Sequence, residues 1–138
     1  MADLNNDGLL DISVAHNNGY LRLLQNKPKE NHANNQFITF KVKGDGSNVN
    51  IYGIGSTVIL YVEDNDKRMK TQFREVSSYQ NGSDKHSFKD DRIIFGLGTD
   101  WSPTKVLVRW PTAIEQTWDL TEWLFSETME VIELEYSV

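Results

Sequence analysis

Apolar and polar residues alternate along almost the whole chain, and no stretch sustains the three-to-four-residue spacing of a helix. A period of two turns successive side chains to opposite faces, so a chain patterned this way is confined to half-buried strands. Over 37–43, Ile38, Phe40 and Val42 share one face while Thr39 and Lys41 share the other; over 104–110, Val106, Val108 and Trp110 repeat the device. The pattern predicts strands at 10–15, 20–25, 37–43, 56–63, 69–77, 92–95, 104–110, 114–120 and 128–136. Turn-forming clusters separate them: Asn17-Asn18-Gly19, Gly44-Asp45-Gly46-Ser47-Asn48, Asp64-Asn65-Asp66, Asn81-Gly82-Ser83-Asp84 and Gly96-Leu97-Gly98. Short strands with turns at this spacing predict an all-β fold, an antiparallel β-sandwich or barrel-like domain. A short helix is expected only around 121–127, where the alternation lapses.

One polar stretch breaks the pattern. Residues 27–35 carry Pro28 and offer nothing to a core, so they read as a linker between a two-strand unit (1–26) and a seven-strand body (36–138). Two strands alone are marginal in water, which requires the first unit to pack on the body or on something beyond it. The body itself needs no staples: a chain of 138 residues with 38% hydrophobic content buries roughly two-thirds of its unfolded surface.

Charge and composition remove several functions. A net charge of −6 argues against a nucleic-acid partner, which calls for a basic face. Lys67, Arg68 and Lys70 are diluted by Glu63, Asp64 and Asp66 and read as a solvated hairpin tip. Without cysteine there is no thiol catalysis, thiolate metal site or iron–sulfur cluster. No apolar run approaches the roughly 18 residues needed to span a membrane, and Met1-Ala2 runs directly into polar residues without a signal-peptide pattern.

The sharpest local signal is Asp3-Leu4-Asn5-Asn6-Asp7-Gly8-Leu9-Leu10-Asp11. Calcium is a hard cation that takes six to eight oxygen ligands. Oxygen-bearing side chains on alternate residues, with a glycine after the third, let a tight loop aim several of them at one centre. Asp3, Asn5 and Asp7 would each give a side-chain oxygen, Leu9 its backbone carbonyl and Asp11 one or two carboxylate oxygens, with Gly8 closing the reversal. An EF-hand shares this first half but needs a glutamate at its twelfth position and flanking helices. Here that position is Val14, in an expected strand, so Asp11 must close the shell. Three carboxylates place the affinity in the weak range of about 10⁻⁴–10⁻³ M.

A loop of this kind running into a short strand resembles FG-GAP/VCBS repeats, the units of calcium-bearing β-propellers. The body resembles the ASPIC/UnbV domain, found in cartilage acidic protein and in many exported bacterial proteins. That resemblance rests on Asn35-Gln36-Phe37-Ile38, Val42-Lys43-Gly44, Ser47-Asn48, Gly53-Ile54-Gly55-Ser56-Thr57-Val58, Arg74-Glu75-Val76, Phe95-Gly96-Leu97-Gly98, Val106-Leu107-Val108-Arg109-Trp110-Pro111 and Gln116, in that order. It extends over roughly 35–134. Two departures stand out: Ser77-Ser78-Tyr79-Gln80-Asn81-Gly82 where a glycine-rich tract with tyrosine is common, and Thr112-Ala113 where Ser-Gly usually follows Trp-Pro. FG-GAP/VCBS repeats usually lie directly upstream of this domain. The resemblance therefore implies the end of a longer, exported, propeller-bearing protein, which accounts for the missing signal peptide. It implies an extracellular, periplasmic or cell-surface setting, with an extracellular protein or glycan as ligand and the upstream propeller repeats as intramolecular neighbours. It supplies no catalytic residues.

Other constellations are weaker. Gly53-Ile54-Gly55 and Gly96-Leu97-Gly98 do not open a helix after a strand, so they read as turn glycines rather than phosphate cradles. His16, His32 and His86 lack the spacing of a zinc site. No serine sits in a nucleophile elbow, and Glu75, Glu115 and Glu133 read as solvated strand residues rather than a glycosidase pair. Trp110 and Trp118 fall on inward positions. Trp101 and Trp123, expected in loops, and Tyr79 are the candidate exposed rings for stacking on a sugar, which makes a carbohydrate-binding module the alternative reading. Asn81-Gly82-Ser83 is both a glycosylation sequon and a plain turn.

Overall fold

The computed structural model describes residues 3–27, 35–77, 91–121 and 131–137. Among the described residues nine strands carry the fold: β1 (Ile12–Ala15), β2 (Leu21–Leu24), β3 (Gln36–Lys43), β4 (Thr57–Asp64), β5 (Met69–Glu75), β6 (Arg92–Gly98), β7 (Trp101–Arg109), β8 (Glu115–Asp119) and β9 (Val131–Glu135). They match the expected strands one for one, and among the described residues there is no helix. The expected helix at 121–127 lies almost wholly outside the described residues.

β1 and β2 pair as an isolated hairpin; β6-β3-β9 and β5-β4-β7-β8 form the two layers of a sandwich. One core fills the space between them. Ile38, Phe40, Val42, Phe95, Leu97, Ile132 and Leu134 come from the three-stranded layer, and Val58, Leu60, Val62, Val106 and Val108 from the four-stranded one. These are the apolar halves of the alternating patterns, so the period of two that makes the strands also makes the core. Phe40 and Phe95 meet edge to face with centroids 5.9 Å apart.

The chain departs from the expected purely antiparallel arrangement at one place: β9 runs parallel to β3, with Thr39 opposite Val131 and Lys43 opposite Glu135. Two glutamines lace the layers along their open sides. Gln72 of β5 donates to the Gly96 carbonyl of β6 (2.8 Å), and Gln116 of β8 donates to the Ser137 carbonyl beyond β9 (2.8 Å). Pro103 sits inside β7, a central strand where a missing N–H is costly. There the β4–β7 register shifts, between Tyr61 and Val62, and the Thr104 hydroxyl donates instead to the Tyr61 carbonyl (3.2 Å).

Two expectations are corrected here. Gly96-Leu97-Gly98 is not a turn but the end of β6: Gly96 pairs with Phe37 and Leu97 is buried in the core. The reversal falls at Thr99-Asp100, after Gly98 at φ +71°. Trp101, expected in a loop, is the first residue of β7.

Candidate metal centre

The loop from Asp3 to Asp11 is wound on its own carboxylates. Asp3 accepts the N–H of Asp7 (3.1 Å) on one oxygen and that of Gly8 (3.0 Å) on the other. Asp11 accepts the N–H of Leu4 (3.1 Å) and, from beyond the hairpin, that of Asn26 (2.8 Å). Both residues are only 3% exposed. Asp11 therefore ties the start of the loop to the end of β2. Asn6 (φ +59°) and Gly8 (φ +81°) adopt the left-handed conformation that closes the loop; glycine and asparagine are the residues that tolerate it best.

The donors match calcium in kind, because every candidate ligand is an oxygen. Each oxygen of Asp3 and Asp11 takes a single N–H, leaving a further lone pair on each. Their convergence is incomplete. Asp7 accepts the N–H of Leu9 (2.9 Å) and the side-chain amide of Asn5 (2.7 Å). Among the described residues no three acidic or histidine side chains gather as a metal-binding group. Asp7 and Asn5 are both exposed, whereas Asp3 and Asp11 are buried.

The loop rests on the sandwich. Arg92 of β6 donates from one guanidinium nitrogen to the Asp3 carbonyl (2.7 Å) and from the other to the Asn6 side-chain oxygen (2.6 Å). Gly8 lies against the Phe37 ring so closely that a Cβ there would overlap it. Both side chains stand on the outer face of the three-stranded sheet, in register with Thr39, itself only 5% exposed. Phe37 belongs to the residues that carry the family resemblance, but nothing in the sequence marks Arg92.

Other candidates are dispersed. Trp101 is half-buried, and the Lys70 ammonium covers one face of its ring at 3.9 Å. Tyr79, Trp123, His32, His86 and Asn81 lie outside the described residues, and His16 is exposed at the tip of the first hairpin. Glu75 and Glu115 sit in one cross-strand row at opposite edges of the four-stranded sheet. Three strand spacings put them about 14 Å apart, beyond the roughly 9.5 Å limit for an inverting carboxylate pair. Glu133 belongs to the other layer.

The sequence matches the ASPIC and UnbV family over residues 44–124, more than half of the chain. The chain belongs to the ASPIC and UnbV family. No curated protein matches it. The matched segment opens at Gly44, where a Cβ would overlap the Asn50 carbonyl oxygen, and at Asp45. The latter accepts the N–H groups of Ser47, Asn48 and Val49 at 2.8–3.0 Å. Further on, Gly53 packs under Val42 and Trp110, and Trp110 meets the ring of Tyr136 edge to face. The ASPIC and UnbV motifs thus mark one end of the sandwich, where loops 44–56 and 110–114 close over a buried tryptophan. The acidic loop lies outside the match, docked on strands that complete the same fold.

Proposed function

We propose that this chain is a non-catalytic, calcium-binding interaction module of an extracellular or cell-surface protein, with calcium structural at Asp3, Asn5, Asp7, Leu9 and Asp11. One observation carries the reading: two carboxylates from a nine-residue stretch are buried and organise a closed loop whose remaining donors are all oxygens. Burying carboxylates with only neutral N–H partners is costly, and a divalent ion repays that cost.

The hairpin after the loop supports its assignment as part of an FG-GAP/VCBS-type repeat. Ile12 pairs with Leu24 on one face, and Ser13 with Leu23 and Ala15 with Leu21 on the other. Leu21 and Leu23 remain 64% and 62% exposed. A strand pair with leucines on both faces, broken only by Ser13 and by Arg22 opposite Val14, calls for layers on both sides, as neighbouring repeats of a propeller provide. No helix among the described residues is long and apolar enough to cross a membrane. The wide separation of Glu75 from Glu115 supports a binding rather than a hydrolytic role, its ligand an extracellular protein.

The test is thermal unfolding and equilibrium dialysis with 10 mM calcium. For a dissociation constant of about 10⁻⁴–10⁻³ M, the ion adds about 1.4–2.7 kcal/mol of stability, a midpoint shift of several degrees. Asp7→Ala removes a ligand from an exposed position without unpacking the loop and abolishes the shift. Asp11→Ala abolishes it too, and in addition lowers stability without calcium by releasing the N–H groups of Leu4 and Asn26. An unshifted midpoint together with no ion retained on dialysis refutes the proposal.

A further inference from the structure

We propose that Arg92 and Phe37, side chains of the sandwich, hold the N-terminal loop in its ion-binding form, so that the affinity of the ion site is set by the ASPIC and UnbV body. This rests on the calcium reading above and extends it to residues outside the loop. The two Arg92 hydrogen bonds reach back 89 and 86 residues along the chain. They land on the first ligand residue, Asp3, and on Asn6, the left-handed residue between Asn5 and Asp7. Gly8, which follows Asp7, is seated on the Phe37 ring. The loop is therefore gripped at its start, its middle and its turn, while the hairpin behind it leaves its leucines exposed.

The chemistry of the grip matters. Arg92 donates to a backbone carbonyl and an amide oxygen, not to Asp3, Asp7 or Asp11 carboxylates. It fixes the loop without occupying the lone pairs a cation needs. A planar guanidinium serves two acceptors in fixed geometry; an ammonium keeps the charge but loses the fork. An ion that binds only one loop conformation binds more weakly in proportion to how seldom that conformation is populated. Linkage is reciprocal, so calcium in turn pins the loop to β3 and β6.

The decisive experiment is calorimetric titration of calcium into the whole chain, wild type and three variants: Arg92→Lys, Asn6→Gly and both together. Asn6→Gly keeps the left-handed backbone, removes the amide acceptor and leaves the sandwich untouched, so it remains informative if Arg92→Lys folds poorly. Each single variant is expected to weaken binding roughly five- to tenfold, the scale of a charge-assisted hydrogen bond at a half-exposed site. The double variant should be little weaker than Arg92→Lys alone, because the contact that Asn6→Gly removes is already lost in it. Wild-type binding with single-variant constants within twofold overturns the inference and leaves the calcium site standing, as do effects that multiply in the double variant. A wild-type chain that takes up no calcium at 10 mM removes the calcium reading and this inference with it.

Discussion

Replacing Ala113 with glycine should stabilise the protein, although it removes a side-chain atom. Trp110 donates its N–H to the Ile114 carbonyl (2.9 Å) and its own carbonyl accepts the N–H of Ala113 (3.0 Å). This is a three-residue hairpin loop: a type I turn with Pro111 in its favoured second position, followed by a left-handed residue. Ala113 is that residue, at φ +63°. An L-residue there costs about 1–2 kcal/mol, while glycine costs about 0.4–1 kcal/mol through the freedom it adds to the unfolded chain. Ala113 is exposed, so no packing is lost. The net gain is about 0.5–1 kcal/mol, or about 2–5 °C in the midpoint of a chain this size. Urea unfolding followed by tryptophan fluorescence reads it directly, as a midpoint raised by about 0.3–0.7 M at unchanged slope. The same loop recurs at Asp64–Arg68 with Lys67 at φ +63°, and at His16–Tyr20 with a glycine, Gly19, at φ +83°. Lys67→Gly should therefore act in the same direction, and its effect should add to that of Ala113→Gly because the loops are separate. Ala113→Val should destabilise, since branching at Cβ worsens the clash. A destabilised but folded Ala113→Gly chain would show that the turn is not strained and refute the reasoning.

Three further expectations concern the loops at the same end and the acid range. Gly44→Ala should destabilise by about 3 kcal/mol or more in urea unfolding, the range of severe steric lesions, because its Cβ meets the Asn50 carbonyl rather than a movable side chain. Gly96→Ala is the matched control: its Cβ meets nothing within 4 Å, so the same assay should register at most a small change. In acid, Asp45 contributes. The N–H groups of Val49 and Ser47, with the backbone and side chain of Asn48, hold its carboxyl down to about 2 from an ordinary value of 3.8. A carboxyl depressed in the folded state contributes stability that is complete above its unfolded value and disappears as pH falls through its folded one. Thermal midpoints should therefore drop between pH 4 and pH 2, and Asp45→Asn should flatten that drop while lowering the midpoint at neutral pH; equal acid slopes in both chains count against the assignment.

The strands were legible because alternation is a local property, and so were the turns that carry glycine or asparagine. What alternation does not encode is partnership. Nothing in 131–135 says that β9 runs parallel to β3, or that Gln72 and Gln116 lace the two layers. Gly96-Leu97-Gly98 misled for a physical reason: glycine marks turns but is also carried inside strands, and here Gly96, within β6, pairs with Phe37. The acidic loop was legible as a pattern of oxygens, and Asp3 and Asp11 are its two buried carboxylates. Its seat on Arg92 was not, because that contact spans most of the chain.

β5 shows which signal prevails when two conflict. Taken alone, Met69-Lys70-Thr71-Gln72-Phe73-Arg74-Glu75 would bury Met69, Thr71 and Phe73 and expose the polar residues between them. The opposite occurs: Met69 and Phe73 are 61% and 70% exposed. The cause is the hairpin at Asp64–Arg68, which sets Ile59 opposite Phe73 and Leu60 opposite Gln72. Val58, Leu60 and Val62 of β4 are essentially buried, a preference far stronger than that of an edge strand. A one-residue slip to satisfy β5 would cost the turn its geometry, so β4 dictates and β5 follows. The inward positions of β5 then suit long polar side chains, which cross the open side of the sandwich. Lys70 reaches Trp101, Gln72 the Gly96 carbonyl and Arg74 the Phe95 ring at 5.1 Å. Inward-pointing charge on an edge strand also blocks pairing with another chain, so the residues that defy the pattern keep this edge from recruiting a further strand.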